Sequence, residues 1–147
     1  MAVTISVYNS SIRRLVGQQV NFLTLKLMLL DNNAVFNATH TTLSGPAGPG
    51  NANQVSGNGW TAGGELVSNV TVTTVDTNDA MLDAENVIKK ALGGPIGPAH
   101  KAVLYDDSDT NDGPLVFVDF GEPITAGENT DFLVAWSEMG ILRFVLP

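Results

Sequence analysis

The sequence predicts an all-β protein: a single β-sandwich, jelly-roll or immunoglobulin-like, over residues 22–147. An extended N-terminal arm precedes it at residues 1–21, and a long irregular loop interrupts it. Three observations point there. Charged residues are only 15% of the 147, fewer than helical proteins usually carry. The 15 glycines and 7 prolines cut the chain into short Val- and Thr-rich segments that alternate like strands. Residues 55–66, VSGNGWTAGGEL, set Gly57, Gly59, Gly63 and Gly64 around Trp60. No helix survives that glycine density, since each interior Gly costs about 1 kcal/mol relative to Ala. The length suits one domain with a core of its own.

In chain order, Val3, Ile5 and Val7 fall on one face of a strand-like stretch. Arg13, Arg14, Gln18 and Gln19 follow without a cap or a clear period, so residues 1–21 read as an arm that orders against a partner. Residues 22–30 set Leu23, Leu25, Leu27 and Leu29 against Phe22, Thr24, Lys26 and Met28, a two-sided strand with one strongly apolar face. Residues 31–65 show little regularity, and a connection this long is usually functional or partner-bound. Residues 67–74 alternate Val with Ser and Thr as a half-buried strand does. Residues 79–92 suit either a helix or two short strands at 80–84 and 87–92; the strands are preferred. GGPIGP at 93–98 is a turn, 99–105 a strand, DDSDTNDG an acidic loop, and 114–120 a β-branched and aromatic strand. After a turn region at 121–129, residues 131–136 and 141–146 flank Ser137-Glu138-Met139-Gly140 as a hairpin.

Charge and composition exclude several functions. A net charge of −8 argues against a nucleic-acid partner, whose phosphates demand a basic face. The absence of cysteine removes disulfides and thiolate metal sites. The N-terminus lacks the basic-then-apolar order of a signal peptide. The longest apolar run, near residues 22–30, is broken by Thr24 and Lys26 and is far below spanning length. The expectation is a soluble protein without a membrane partner.

No constellation for chemistry stands out. Asp107, Asp109 and Asp112 open like a calcium loop, but Asp112 occupies the glycine position and Val118 the bidentate-glutamate position. A solvated hairpin tip explains them better. His40 and His100 lie too far apart in sequence to give ligand spacing. Asp119 and Glu122 could pair as carboxylates, yet nothing else converges on them, and no nucleophile elbow is present. Asn37 and Asn69 match the glycosylation pattern by chance in an Asn/Thr-rich chain. Trp136 reads as core. Trp60 either fills the end of the sandwich, contacts a partner or stacks on a sugar ring.

FNATHTTLSG, then VSGNGWTAGGELVSNVTVT, AMLDAENV, GPAHKAVLYDD, PLVFVDFGEPITAG and DFLVAWSEMGIL follow one another over residues 22–146. This ordered set resembles a group of small virion structural proteins of tailed bacteriophages; residues 1–21 lie outside it. The resemblance implies an architectural role, with no catalytic residues and no cofactor. It leads to the expectation of a head decoration (cement) protein on the outer surface of the virion, made in the bacterial cytoplasm. Its partners would be the major capsid protein and sister copies, as a homo-oligomer with a trimer among the options. Trp60, Asn58, Gly59, Arg13 and Arg14 are the expected contact residues. A head-tail joining or tail protein, and a carbohydrate-binding adhesion module, are the alternatives.

Overall fold

The computed structural model describes residues 3–145, so the ends of the expected 1–21 arm and 141–146 strand lie outside it. The chain folds as an all-β sandwich of antiparallel sheets. Its elements are β1 (Thr4–Val7), α1 (Asn9–Val16), β2 (Leu25–Leu30), a single helical turn α2 (Ser44–Ala47), β3 (Gln54–Val55) and β4 (Glu65–Leu66). There follow β5 (Thr71–Thr73), β6 (Asp79–Asp83), β7 (Val87–Lys90), β8 (Ile96–Asp106), β9 (Pro114–Ala126), β10 (Asp131–Val134) and β11 (Leu142–Val145).

The main sheet runs β1-β9-β8-β2-β3, and β4 also pairs with β2. β3 and β4 share one edge of β2: β3 meets Leu29 and Leu30, whereas β4 meets Lys26 and Leu27. Two smaller sheets, β10-β7 and β11-β6-β5, complete the set.

β2 sits at the heart of this arrangement. Successive strand side chains point to opposite faces, and here both faces are buried. Leu25, Leu27 and Leu29 join a core with Trp60, Leu82, Phe132, Val134 and Leu142 from the smaller sheets and the glycine-rich loop. Met28 and Leu30 join a second core with Tyr8, Ala34, Leu43, Ala47 and Phe117. The irregular segment after β2 therefore covers the back of the main sheet. Phe36 packs on Tyr8, with ring centroids 4.9 Å apart, and on Phe117 at 5.8 Å. Lys26 keeps its stem on the sheet and its ammonium 2.9 Å from Asp107.

Several sequence expectations change. Residues 3–16 are not an extended arm: β1 pairs with β9 along its whole length, and α1 tucks the buried Ser11 and Arg14 against the domain. The absent cap is replaced by tertiary contact, since Tyr8 is fully buried. β10 and β11 do not form a hairpin. The chain turns tightly at Ser137 and Gly140, then β10 pairs with β7 and β11 with β6. The strand expected at 67–74 contracts to β5, because Val67 stays with β4 on β2, its N–H donating to the Leu25 carbonyl at 2.9 Å and its side chain entering the core. β8 and β9 absorb parts of the flanking turn regions.

A strand buried on both faces has a measurable signature. Leu27→Ala and Leu30→Ala should each lower unfolding stability in urea by about 2–5 kcal/mol, the range for fully buried leucines. In a sandwich with one covered face, only one of the two would register.

Candidate functional site

The glycine-rich stretch turns inward. Asn58 and Gly59 are the two central residues of a tight turn, with φ of 53° and 110°, the left-handed pair that an Asn-Gly dipeptide supplies in type I′ hairpins. Gly57 and Trp60 close it, exchanging hydrogen bonds of 2.8 and 3.1 Å. The turn then docks on the segment after β7: the Asn58 carbonyl accepts from the Leu92 N–H at 2.8 Å, and the Asn58 amide donates to the Pro95 carbonyl at 2.8 Å. A Cβ on Gly59 would lie 2.3 Å from the Lys90 carbonyl oxygen, so only glycine allows this approach. The Tyr105 hydroxyl donates to the Gly63 carbonyl and ties the far side of the loop to β8.

Trp60 is thereby driven into the core at 2% exposure, edge-on to Phe132 with centroids 5.4 Å apart. It is not available to stack on a sugar or fill a partner's pocket. Asn58 and Gly59 remain at the surface but spend their polar groups on their own domain. Of the two expected contact arginines, Arg13 is exposed, whereas Arg14 is buried.

Arg14 explains the acidic loop. Its guanidinium lies 3.3 Å from Asp106 and 3.6 Å from Asp109. Asp106, fully buried at the end of β8, also accepts from the Asn21 N–H at 3.0 Å, the Thr24 hydroxyl at 2.8 Å and the Ser108 hydroxyl at 2.8 Å. Burial alone would push its pKa up, but the donors of Asn21, Ser108 and Thr24 outweigh it and hold the carboxyl below the usual carboxylate range. Asp109 accepts the Gly113 N–H at 3.0 Å. Asp112 moves the other way: burial, then the carboxylates of Asp107 and Asp109, raise its pKa. Of the carboxylates weighed as calcium ligands, Asp107 is thus paired with Lys26, and Asp109 with Arg14 and backbone N–H groups. Among the described residues, no group of three or more His, Asp or Glu is placed to hold a metal ion.

Asp119 and Glu122 also part company. Asp119 closes a local turn by accepting the Gly121 N–H at 2.9 Å. Glu122 lines a groove that sequence reasoning missed. This groove, about 450 Å³ in volume, opens where β1 and β9 face β10. Val118, Phe120, Phe132 and Trp136 are among the residues that line it, and Val3, Ile5 and Leu133 contribute apolar side chains 58%, 39% and 53% exposed. Trp136, expected in the core, is instead half-buried in this wall, held by a 3.1 Å hydrogen bond from its Nε1 to the Glu85 carbonyl. Trp60 supports the site from behind, because Phe132 touches Trp60 and also lines the groove. The one sequence signal was the run Val3, Ile5, Val7. Its alternation marked an apolar face, but not where that face would be left uncovered.

The groove lining holds one charged side chain, Glu122, and most of the basic side chains are paired elsewhere. Arg14, Lys26, Lys89 and Arg143 are in ion pairs, and Lys101 donates to the Ala34 carbonyl at 2.6 Å. Of the 7 basic side chains, Arg13 and Lys90 are left without such a partner among the described residues. The site is therefore an apolar groove beside a strand edge, with a single carboxylate in its lining. Comparison with protein-family models, curated proteins and solved structures finds no match.

Substitutions in the loop and in the acidic cluster test this reading. Gly59→Ala should destabilise by about 2–4 kcal/mol, from positive-φ strain and collision with backbone, as read from denaturant melts. Gly50→Ala, where a Cβ meets nothing within 4 Å, should cost about 1 kcal/mol. Asp106→Asn should cost about 3 kcal/mol at neutral pH by leaving Arg14 poorly paired. Because the folded pKa of Asp106 is lowered, its contribution is present above the unfolded value of about 3.9 and lost as pH falls through the folded one. The parent should therefore lose more stability than Asp106→Asn during acid titration below about pH 4.

Proposed function

We propose that this protein is a structural component of a tailed-bacteriophage particle, a head decoration protein that binds the assembled capsid and stabilises it. The phage context comes from the ordered sequence resemblance over residues 22–146. The observation that supports a binding role is the exposed apolar groove beside the β1 edge, whose lining holds no basic side chain. A protein that binds only the assembled lattice stabilises it by mass action, without any chemistry of its own. A net charge of −8 suits the outer face of a head, since a lumenal protein would be repelled by packaged DNA. The partners are the major capsid protein and sister copies.

A quantitative mass-spectrometric inventory of purified particles tests the proposal. Hundreds of copies per particle, as order of magnitude, are expected of a protein that repeats over a capsid lattice. About six or twelve would move it to a neck or tail ring, and absence from particles would remove the virion reading altogether.

A further inference from the structure

We infer that β1 is a self-association edge, on which a second copy of this chain pairs its own β1 antiparallel about a two-fold axis and closes the groove. This rests on the groove being a docking surface, and not on the virion in which it is proposed to work.

Three features favour a second copy as the occupant. First, β1 ends the main sheet: no strand among the described residues lies on its outer side. In an antiparallel ladder, half the backbone N–H and C=O groups of an edge strand point away from its one partner. Soluble proteins usually guard such edges with Lys, Pro, a bulge or a covering element. β1 reads TISV and has none of these in its sequence, and its register with β9 is unbroken from Thr4 to Val7. The opposite edge, that of β2, is by contrast occupied by β3 and β4.

Second, charge selects this edge. Two copies carrying −8 each repel, and they can meet only where carboxylates are sparse. No charged side chain occurs in residues 1–12, the stretch that contains β1, and Glu122 is the one charged residue in the groove lining.

Third, the strand and the groove are one surface. Val3 and Ile5 belong to the β1 face that lines the groove, opposite the wall formed by residues 133–136. A strand added beside β1 would extend the main sheet across the groove mouth. It would turn its own Val3 and Ile5 towards the same wall, covering side chains that are 58% and 39% exposed in one copy. The arrangement is isologous, so each copy supplies the other with the missing strand.

Sedimentation equilibrium over a wide concentration range, with a cysteine scan, tests the inference. The parent should show a reversible monomer–dimer equilibrium that tightens with added salt, as screening weakens repulsion between the copies. Val3→Lys and Ile5→Lys should each weaken dimerisation by about tenfold or more. Val72→Lys and Ile88→Lys, at apolar side chains 55% exposed elsewhere, should leave it unchanged. A two-fold antiparallel pair sets one residue opposite itself, at a Cα separation of about 4.5–5.5 Å that a disulfide can span. The chain has no native cysteine. One of Val3→Cys, Thr4→Cys, Ile5→Cys or Ser6→Cys should therefore give disulfide-linked dimers rapidly under mild oxidation, and Ile88→Cys should not. A protein monomeric throughout, or a dimer that ignores both lysine substitutions and cross-links nowhere along β1, would overturn the inference. The particle inventory is a separate measurement, so loss of either conclusion leaves the other standing.

Discussion

Burial of β2 on both faces is the constraint around which the rest of the molecule is arranged. A strand reading Leu-Lys-Leu-Met-Leu-Leu has apolar side chains to hide above and below the sheet. The smaller sheets and Trp60 cover one side, and the segment carrying Ala34, Phe36, Leu43 and Ala47 covers the other. Each fully buried large aliphatic side chain is worth about 1.5–3 kcal/mol, so neither cover is dispensable. The long connection after β2 is committed to this task. It returns to β2 as β3, leaves again for the Trp60 turn, and comes back as β4, sealing the same strand at its edge as well.

Charge follows from packing. The hairpin between β8 and β9 carries Asp106 into a buried position, where a carboxylate persists only with a cation and hydrogen-bond donors around it. Arg14 arrives from α1, and Asn21, Thr24 and Ser108 provide the donors. Arg143 meets Asp79 in a similar way, and backbone N–H groups of Asp76 and Val75 help hold that carboxyl below its usual range. Each such pair withdraws a carboxylate along with its cation, so the pairing leaves the net charge of −8 unchanged. The same economy stitches residues 3–21 to the domain, because β1, α1 and Arg14 all depend on contacts with β8 and β9.

The groove lies where this covering runs out. Between β1 and β10 the two layers diverge, and Phe120 and Phe132 form a floor that no described element roofs. An apolar groove beside an unguarded strand edge is a costly feature for an isolated soluble chain. The proposed pairing of two copies would cover it.

Much of the strand content was legible in the residues. Alternation and β-branched content located β2, β8, β10 and the start of β9 to within a few positions, residues 79–92 suited a helix as well as the strands β6 and β7, and the glycine density around Trp60 excluded helix. The same local patterns were silent on partners: the tight turn at Ser137 and Gly140 looks like a hairpin, yet its flanking strands join different sheets. Trp60 and Arg14 could be read as surface contacts because nothing in their neighbours reveals that Lys90, Phe132 and Asp106 stand beside them in space. Period and turn chemistry act over a few residues, so they were visible in the chain and sufficed for an all-β protein with strands in these places. Which face each strand hides, which charges meet, and where the apolar surface stays open depend on residues tens of positions apart, and those were settled by folding.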